Sequence, residues 1–303
     1  MSACPNSVSE QAWRDSGLAL WEIERFAEVA RQAATAGSRQ LLHHFGRLER
    51  IQEKGSAGNL VTEADFAAEA AVLAVLAEAT PELGVLAEES GRRLGQGSPL
   101  EWCVDPLDGT TNYAHRYPFF GTSVGLTWNG RPLLGALAAP ALEQFYWAAP
   151  GMGAWNNDSP IRVSDCQELA SSLLVTGFAY DRITRLDNNY AEFAWFTHRT
   201  RGVRRAGAAA VDLAFVADGR VDGYWERGLS PWDLAAGIPL VEQAGGVVCS
   251  YDGSPVDLAS GSLIACTPAL RQALVAGLAA CLPLRGASYG APELDGGCQM
   301  PTP

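Results

Sequence analysis

At 303 residues, 48% hydrophobic and with a net charge of −12, the chain can bury one large core or two fused ones but lacks the clustered Lys and Arg of a nucleic-acid surface. No apolar run reaches the roughly 18 residues of a membrane span and no secretory signal opens the chain, so neither a membrane nor a nucleic-acid partner is expected. Seven scattered cysteines, never spaced C-x-x-C, read as reduced thiols of a cytoplasmic protein rather than as disulfides or a zinc site.

Residues 1–20 are polar and irregular and are expected to form a flexible tail. Apolar or small residues then recur at Ile23, Phe26, Ala30, Ala33, Gly37 and Leu41, which predicts a helix from Trp21 to Phe45. A polar, glycine-containing stretch over 52–59 leads to Leu60-Val61-Thr62. Thr62 is placed to cap a second helix, with Phe66, Ala70, Leu73 and Leu76 on one side and Thr80-Pro81 at its end. The period then shortens. Strand-like runs at 84–87 and 101–104 end at acids, Glu88-Glu89 in one case and Asp105 in the other. Strands over 119–128, 132–139 and 144–148 follow, and the glycine-rich corner 150–160 marks the expected seam between two halves. The second half predicts strands at 173–176, 221–225, 247–250 and 262–266, with helices at 186–196, 208–217, 231–244 and 268–281. The expected organisation is helices layered on sheets in two subdomains, α+β over 21–150 with the metal site and α/β over 151–284. A disordered C-terminal tail is expected over 285–303.

Four acids stand at the ends of elements: Glu88, Asp105, Asp108 and Asp233. The stretch WCVDPLDGTTNYAHRYP sets Asp105 and Asp108 three residues apart across a proline, directly before Gly109-Thr110-Thr111-Asn112. Asp233, in LSPWD, follows a good N-cap (Ser230) and a proline suited to the first helical position, so taken alone it reads equally well as a capping-box acid. If the four converge, each carboxylate pair 4 Å apart repels by roughly 4 kcal/mol at an effective dielectric of 20, and a cation is needed. Hard oxygens with no neighbouring His or Cys suit Mg²⁺ rather than zinc, and the Leu107 carbonyl adds one more. Magnesium held this way completes its shell with waters and a phosphate, and residues 109–112 offer that anion backbone N–H groups at the start of a short helix. The chemistry this points to is phosphoester hydrolysis by a metal-activated water. The related D-x-D-G-T pattern of haloacid-dehalogenase-type phosphatases is one residue shorter, so both acids cannot take its roles, and no P-loop sequence occurs.

The segments WCVDPLDGTTNYAHRYPF and PWDLAAGIPLVEQAGG, with LVTEAD and LAEES before them in order, resemble the signatures of the inositol monophosphatase family over about Trp21 to Leu284. The resemblance implies a layered αβαβα sandwich of two subdomains, a homodimer, and Mg²⁺-dependent, Li⁺-sensitive hydrolysis of a small-molecule phosphate ester, above all myo-inositol 1-phosphate. Fructose 1,6-bisphosphate, histidinol phosphate and a 3′(2′),5′-bisphosphate nucleotide are the alternatives. It further implies two or three Mg²⁺ on Glu88, Asp105, the Leu107 carbonyl, Asp108 and Asp233, with Glu89 an adjacent non-ligand acid. Catalysis is assigned to Glu88 and to Asp65 working with Thr110. The substrate pocket comprises Glu88, Leu107, Asp108, Gly109, Thr110, Gly207, Ala208, Ala209, Glu226 and Asp233. Ala208 departs from the Ser or Thr of many relatives. Four arginines at 199, 201, 204 and 205 read as a solvated edge or subunit contact, or as a seat for a second phosphate.

Overall fold

An apolar stripe recurring every three to four residues must be covered, and the 25-residue helix α2 (Leu20–His44) covers Ile23, Phe26, Ala30, Ala33 and Leu41 completely or nearly so. The computed structural model describes residues 7–54 and 60–282. Around α2 the elements run in chain order. Before it lies α1 (Val8–Ser16); after it come β1 (Ile51–Glu53), β2 (Leu60–Thr62), α3 (Glu63–Ala79), β3 (Gly84–Ala87), β4 (Gly91–Arg93) and β5 (Leu100–Asp108). Next are α4 (Thr110–Ala114), β6 (Gly121–Trp128), β7 (Arg131–Ala139), β8 (Gln144–Ala149), β9 (Gly153–Asn156) and β10 (Ser159–Pro160). The remainder is β11 (Leu173–Thr176), α5 (Tyr190–Thr197), β12 (Gly202–Arg204), α6 (Ala209–Ala217), β13 (Gly223–Arg227), α7 (Pro231–Leu234), α8 (Gly237–Gln243), β14 (Val247–Cys249), β15 (Ser262–Cys266) and α9 (Arg271–Ala280).

Two sheets carry the architecture. The larger has eight strands in the order β10-β9-β8-β7-β6-β5-β3-β4, antiparallel except where β3 runs parallel to β5. The smaller has five, β12-β11-β13-β15-β14, parallel in its first half and antiparallel in its second. Helices α2 and α3 pack on the outer face of the large sheet, α6 and α8 lie between the sheets, and α5 and α9 cover the small one. This is the layered αβαβα sandwich expected from the sequence. The middle layer buries Leu137, Tyr146, Val211, Leu213, Tyr224, Ile238 and Val241 in one cluster.

Several boundaries differ from the sequence reading. The expected flexible tail holds α1, whose Ser9 and Ala12 are buried and which packs on β7. Ser7, Val8 and Ser9 tie it to the buried Glu242 carboxylate of α8 through two N–H and two O–H donors. Positions 1–6, most of the 52–59 stretch and the tail 285–303 lie outside the described residues. The glycine-rich corner over 150–160 holds β9 and β10, which continue the first sheet. Thr62 does cap α3, accepting from Ala64 N–H at 3.2 Å, and Thr80 ends it. Its buried face is Ala64, Ala68, Val72 and Leu76, however, while Phe66 is 54% exposed, since alanines allow the close approach to α2 that a phenylalanine would block. The helix expected over 231–244 bends into α7 and α8 because Pro239 has no N–H for the Ala235 carbonyl.

Candidate active site

Residues three apart on a regular strand point to opposite faces, so Asp105 and Asp108 could not share a pocket on an unbroken β5. The strand is not regular there. Asp105 pairs with Ser123 and Asp108 with Gly121, three steps along β5 against two along β6, so Pro106-Leu107 forms a bulge. The extra residue turns both carboxylates into one cleft. Gly109 follows at φ +89°, a left-handed conformation that a side chain would strain, and opens α4.

Asp233 arrives from the other subdomain on α7. The start of the following turn sits on the sheet where Gly125 and Gly135 face each other across β6 and β7. A Cβ on Gly135 would lie 2.4 Å from Ala236 Cα, and one on Gly125 would lie 2.6 Å from the Ala235 carbonyl carbon. Only bare backbone lets α7 approach so closely. Asp233 accepts from Ser230 N–H at 2.7 Å, so it is both a helix-cap acid and a pocket acid; the two readings of LSPWD are compatible.

The cleft has a volume of about 580 Å³ and brings together Glu88, Asp105, Leu107, Asp108, Gly109, Thr110, Gly207, Ala208, Ala209, Glu226 and Asp233. Asp108 accepts from Ala209, Ala210 and Val211 N–H at 2.9, 2.9 and 3.2 Å, so it serves as the N-terminal cap that Ala208 cannot provide for α6. Asp105 accepts from Leu107 N–H at 3.0 Å. Asp65 stands behind the wall: its Oδ2 takes Thr62 N–H and Oγ1–H at 2.8 and 2.6 Å, and its Oδ1 faces Thr110 Oγ1 at 3.3 Å. Thr110 Oγ1 also lies 3.1 Å from the Leu107 carbonyl. Across the cleft Glu226 accepts from Tyr224 O–H at 2.6 Å.

Burial is the first cause of every carboxylate shift here, and neighbouring negative charge adds to it. Asp233 is pushed up to about 8, Asp108 and Glu226 to about 7 and Asp65 to about 6. Asp105 rises well above the carboxylate range through burial and then through Glu88, Asp108 and Asp233. Among the described residues, no three His, Cys, Asp or Glu side chains stand ready-made around one point as metal ligands. The carboxylates are turned instead toward backbone N–H groups and toward one another. Their chemistry still fits a hard divalent cation, because four acids share one cleft, and burial followed by the repulsion of neighbouring carboxylates raises the proton affinity of Asp105 and Asp233.

Other predicted positions fall differently. Glu89 is placed beside the cleft rather than in it, and pairs with Lys54. Of the four arginines, only Arg205 lines the cleft; Arg199 lies over the Trp195 ring at 4.1 Å, and Arg201 and Arg204 are exposed. Arg182, Phe178, Tyr180 and Tyr190 complete the far wall and were not singled out from the sequence. Also missed was Glu69, buried on α3, whose carboxylate accepts from Glu89 and Ser90 N–H at 2.9 Å each and fixes the turn that presents Glu88. Asn112 donates to the Phe119 and Ala206 carbonyls at 2.7 and 2.8 Å, tying α4 to the 206–209 wall.

The profile of the Inositol monophosphatase family matches residues 22–283. An inositol-1-monophosphatase from Synechocystis sp. is 49% identical over 260 residues, 86% of this chain and 90% of that protein. The Nus factor SuhB of Pseudomonas aeruginosa is 38% identical over 80% of this chain and 92% of its own length. The solved structure of an inositol monophosphatase from Anabaena (Nostoc) sp. superposes with a TM-score of 0.80 at 46% identity, covering 87% of this chain and 98% of that one.

Proposed function

This chain belongs to the inositol monophosphatase family, and we propose that it hydrolyses the phosphomonoester of a polyol, above all myo-inositol 1-phosphate, to the free polyol and phosphate. The observation that carries the reading is the cleft, where Glu88, Asp105, Leu107, Asp108 and Asp233 face one space beside Thr110 with Glu226 opposite. The four carboxylates and the Leu107 carbonyl would hold two or three Mg²⁺. Bound there, magnesium supplies positive charge to the phosphate oxygens and acidifies water. Gly109 and Thr110 offer the phosphate their backbone N–H groups. The Thr110 hydroxyl orients the attacking water, and Asp65, reached through that hydroxyl, receives its proton. With its carboxyl at about 6, Asp65 is ionised at neutral pH and still basic enough to accept. The water oxygen bonds to phosphorus as the ester P–O bond breaks, with no phosphoenzyme, and the departing polyol oxygen takes up a proton from solvent. Glu226, with Gly207, Ala208 and Ala209 around it, accepts from a polyol hydroxyl.

Li⁺ inhibition, a homodimer and a cytoplasmic setting belong to the same reading; the free thiols of Cys103, Cys249 and Cys266 are in keeping with the last. The name Nus factor belongs to a relative, and the net charge of −12 gives no ground for carrying a nucleic-acid contact over. A second reading, a bisphosphate substrate, is favoured by Arg182 and Arg205 on the far wall. Phosphate release from inositol 1-phosphate, fructose 1,6-bisphosphate, adenosine 3′,5′-bisphosphate and histidinol phosphate, each with Mg²⁺, separates them. The first substrate is expected to have the highest kcat/KM. A bisphosphate in first place would move the assignment to the arginine wall, and no release from any would overturn both.

A further inference from the structure

Arginine supplies 21 of the 22 basic residues of this chain, and Lys54 is its only lysine. A sequence that chooses guanidinium everywhere else uses an ammonium at one place, and that place borders the acidic cleft. Lys54 follows β1, and its Nζ lies 3.2 Å from Glu88 Oε1 while also pairing with Glu89 Oε1. The two partners differ. Glu88 lines the cleft with its side chain 22% exposed, whereas Glu89 stands outside the cleft wall, 4% exposed, its backbone held by Glu69. The ammonium therefore bridges one carboxylate that a cleft cation would use and one that it would not.

Lysine and arginine act differently at such a bridge. A guanidinium fork clamps carboxylates through several fixed N–H directions, while an ammonium is a compact charge with rotatable donors that can release one partner and keep the other. We propose that Lys54 is a tethered counter-cation of the cleft: its ammonium holds Glu88 while no divalent cation is bound, and withdraws to Glu89 alone when such a cation takes Glu88. This rests on the reading that a divalent cation occupies the acid cleft. Lys54 then positions Glu88 and sets how readily the site loads, because two cations cannot share one carboxylate edge without repelling.

Because linkage is reciprocal, the competition has two independent readouts. Calorimetry of Mg²⁺ binding to the full chain is expected to give about tenfold tighter binding for Lys54→Met than for wild type, within the usual range of coupling between sites. Lys54→Arg is expected to bind Mg²⁺ more weakly than wild type. The single lysine allows a second test: acetylation by an amine-reactive reagent, read by peptide mass, reports Lys54 separately from the N-terminal amine. Saturating Mg²⁺ is expected to speed Lys54 acetylation several-fold. Equal or weaker Mg²⁺ binding by Lys54→Met overturns the proposal. So does an acetylation rate that Mg²⁺ leaves unchanged, even if affinity rises, since that isolates a long-range charge effect without displacement. Absence of Mg²⁺ binding in all three proteins overturns the metal reading as well.

Discussion

In the proposed hydrolysis, the side chains that meet at Thr110 carry the proton transfer. Thr110 Oγ1 lies between Asp65 Oδ1 and the Leu107 carbonyl, so its hydroxyl couples the acid behind the wall to the cleft. Asp65→Asn and Thr110→Ala are each expected to lower kcat by about 10²- to 10⁴-fold with KM little changed, the range of a lost general base. An acid must be ionised to accept a proton. The wild-type rate is therefore expected to fall as pH drops through about 6, and Asp65→Asn to lose that acid limb. An unaltered pH profile in the variant would remove Asp65 from this role. At this scale the sequence is partly legible. Asp105 and Asp108 draw attention because carboxylates so close demand a partner, and Asp65 stands out through resemblance to a family motif. Glu69 and Lys54 escape, because what they hold lies 20 or more residues away and follows no helical or strand period. Two faint signals existed: Glu69 sits one helical turn after Asp65, and Lys54 is alone of its kind.

Elements set where those side chains can go. The bulge in β5 and the paired glycines of β6 and β7 do for the acids what no single residue could, turning Asp108 inward and letting α7 rest on the sheet. Gly135→Ala would drive a Cβ into the backbone of Ala236, which cannot swing aside as a side-chain tip can. It is expected to destabilise the fold by about 1–3 kcal/mol, the usual cost of overpacking. It should also weaken Mg²⁺ binding by shifting Asp233. Denaturant melts and calorimetry of the variant check both, and wild-type values in each would mean the contact yields without effect. Most of the principal helices and strands are legible from period and capping: α2, the ends of α3 and the run β6–β7–β8 fall within a few residues of expectation. What is not legible depends on packing. The buried face of α3 follows its alanines rather than Phe66, and α1 forms because Glu242, far along the chain, accepts from its first turn.

Across the whole molecule, the acid cleft is a store of unfavourable charge. Asp108, Glu226 and Asp233 have carboxyls at about 7, 7 and 8 in the fold, against about 4 in an unfolded chain. The native state thus binds more protons than the unfolded one between pH 4 and 8. Stability of the chelator-treated protein is expected to be greatest at the low end of that window and to fall as pH rises through it. If the cleft holds Mg²⁺ as proposed, saturating Mg²⁺ should flatten the dependence and raise Tm at pH 8, since it would bind the assembled site and replace the protons. Urea melts at pH 5.5 and pH 8, with and without Mg²⁺, read this directly; a metal-free protein more stable at pH 8 would contradict it. The layered architecture itself was legible from the order of elements, whereas the strands β9 and β10 were not, because a glycine-rich corner can as easily turn a strand within one sheet as separate two.

If these acids hold a divalent cation for phosphoester hydrolysis, turnover must depend on both the metal and Asp233. Phosphate release from myo-inositol 1-phosphate is followed in chelator-stripped wild type and Asp233→Asn while Mg²⁺ is titrated. No turnover is expected without Mg²⁺, with saturable recovery in wild type and a loss of about 100-fold or more in the variant. Turnover that survives the chelator, or an Asp233→Asn enzyme that recovers fully, would contradict it.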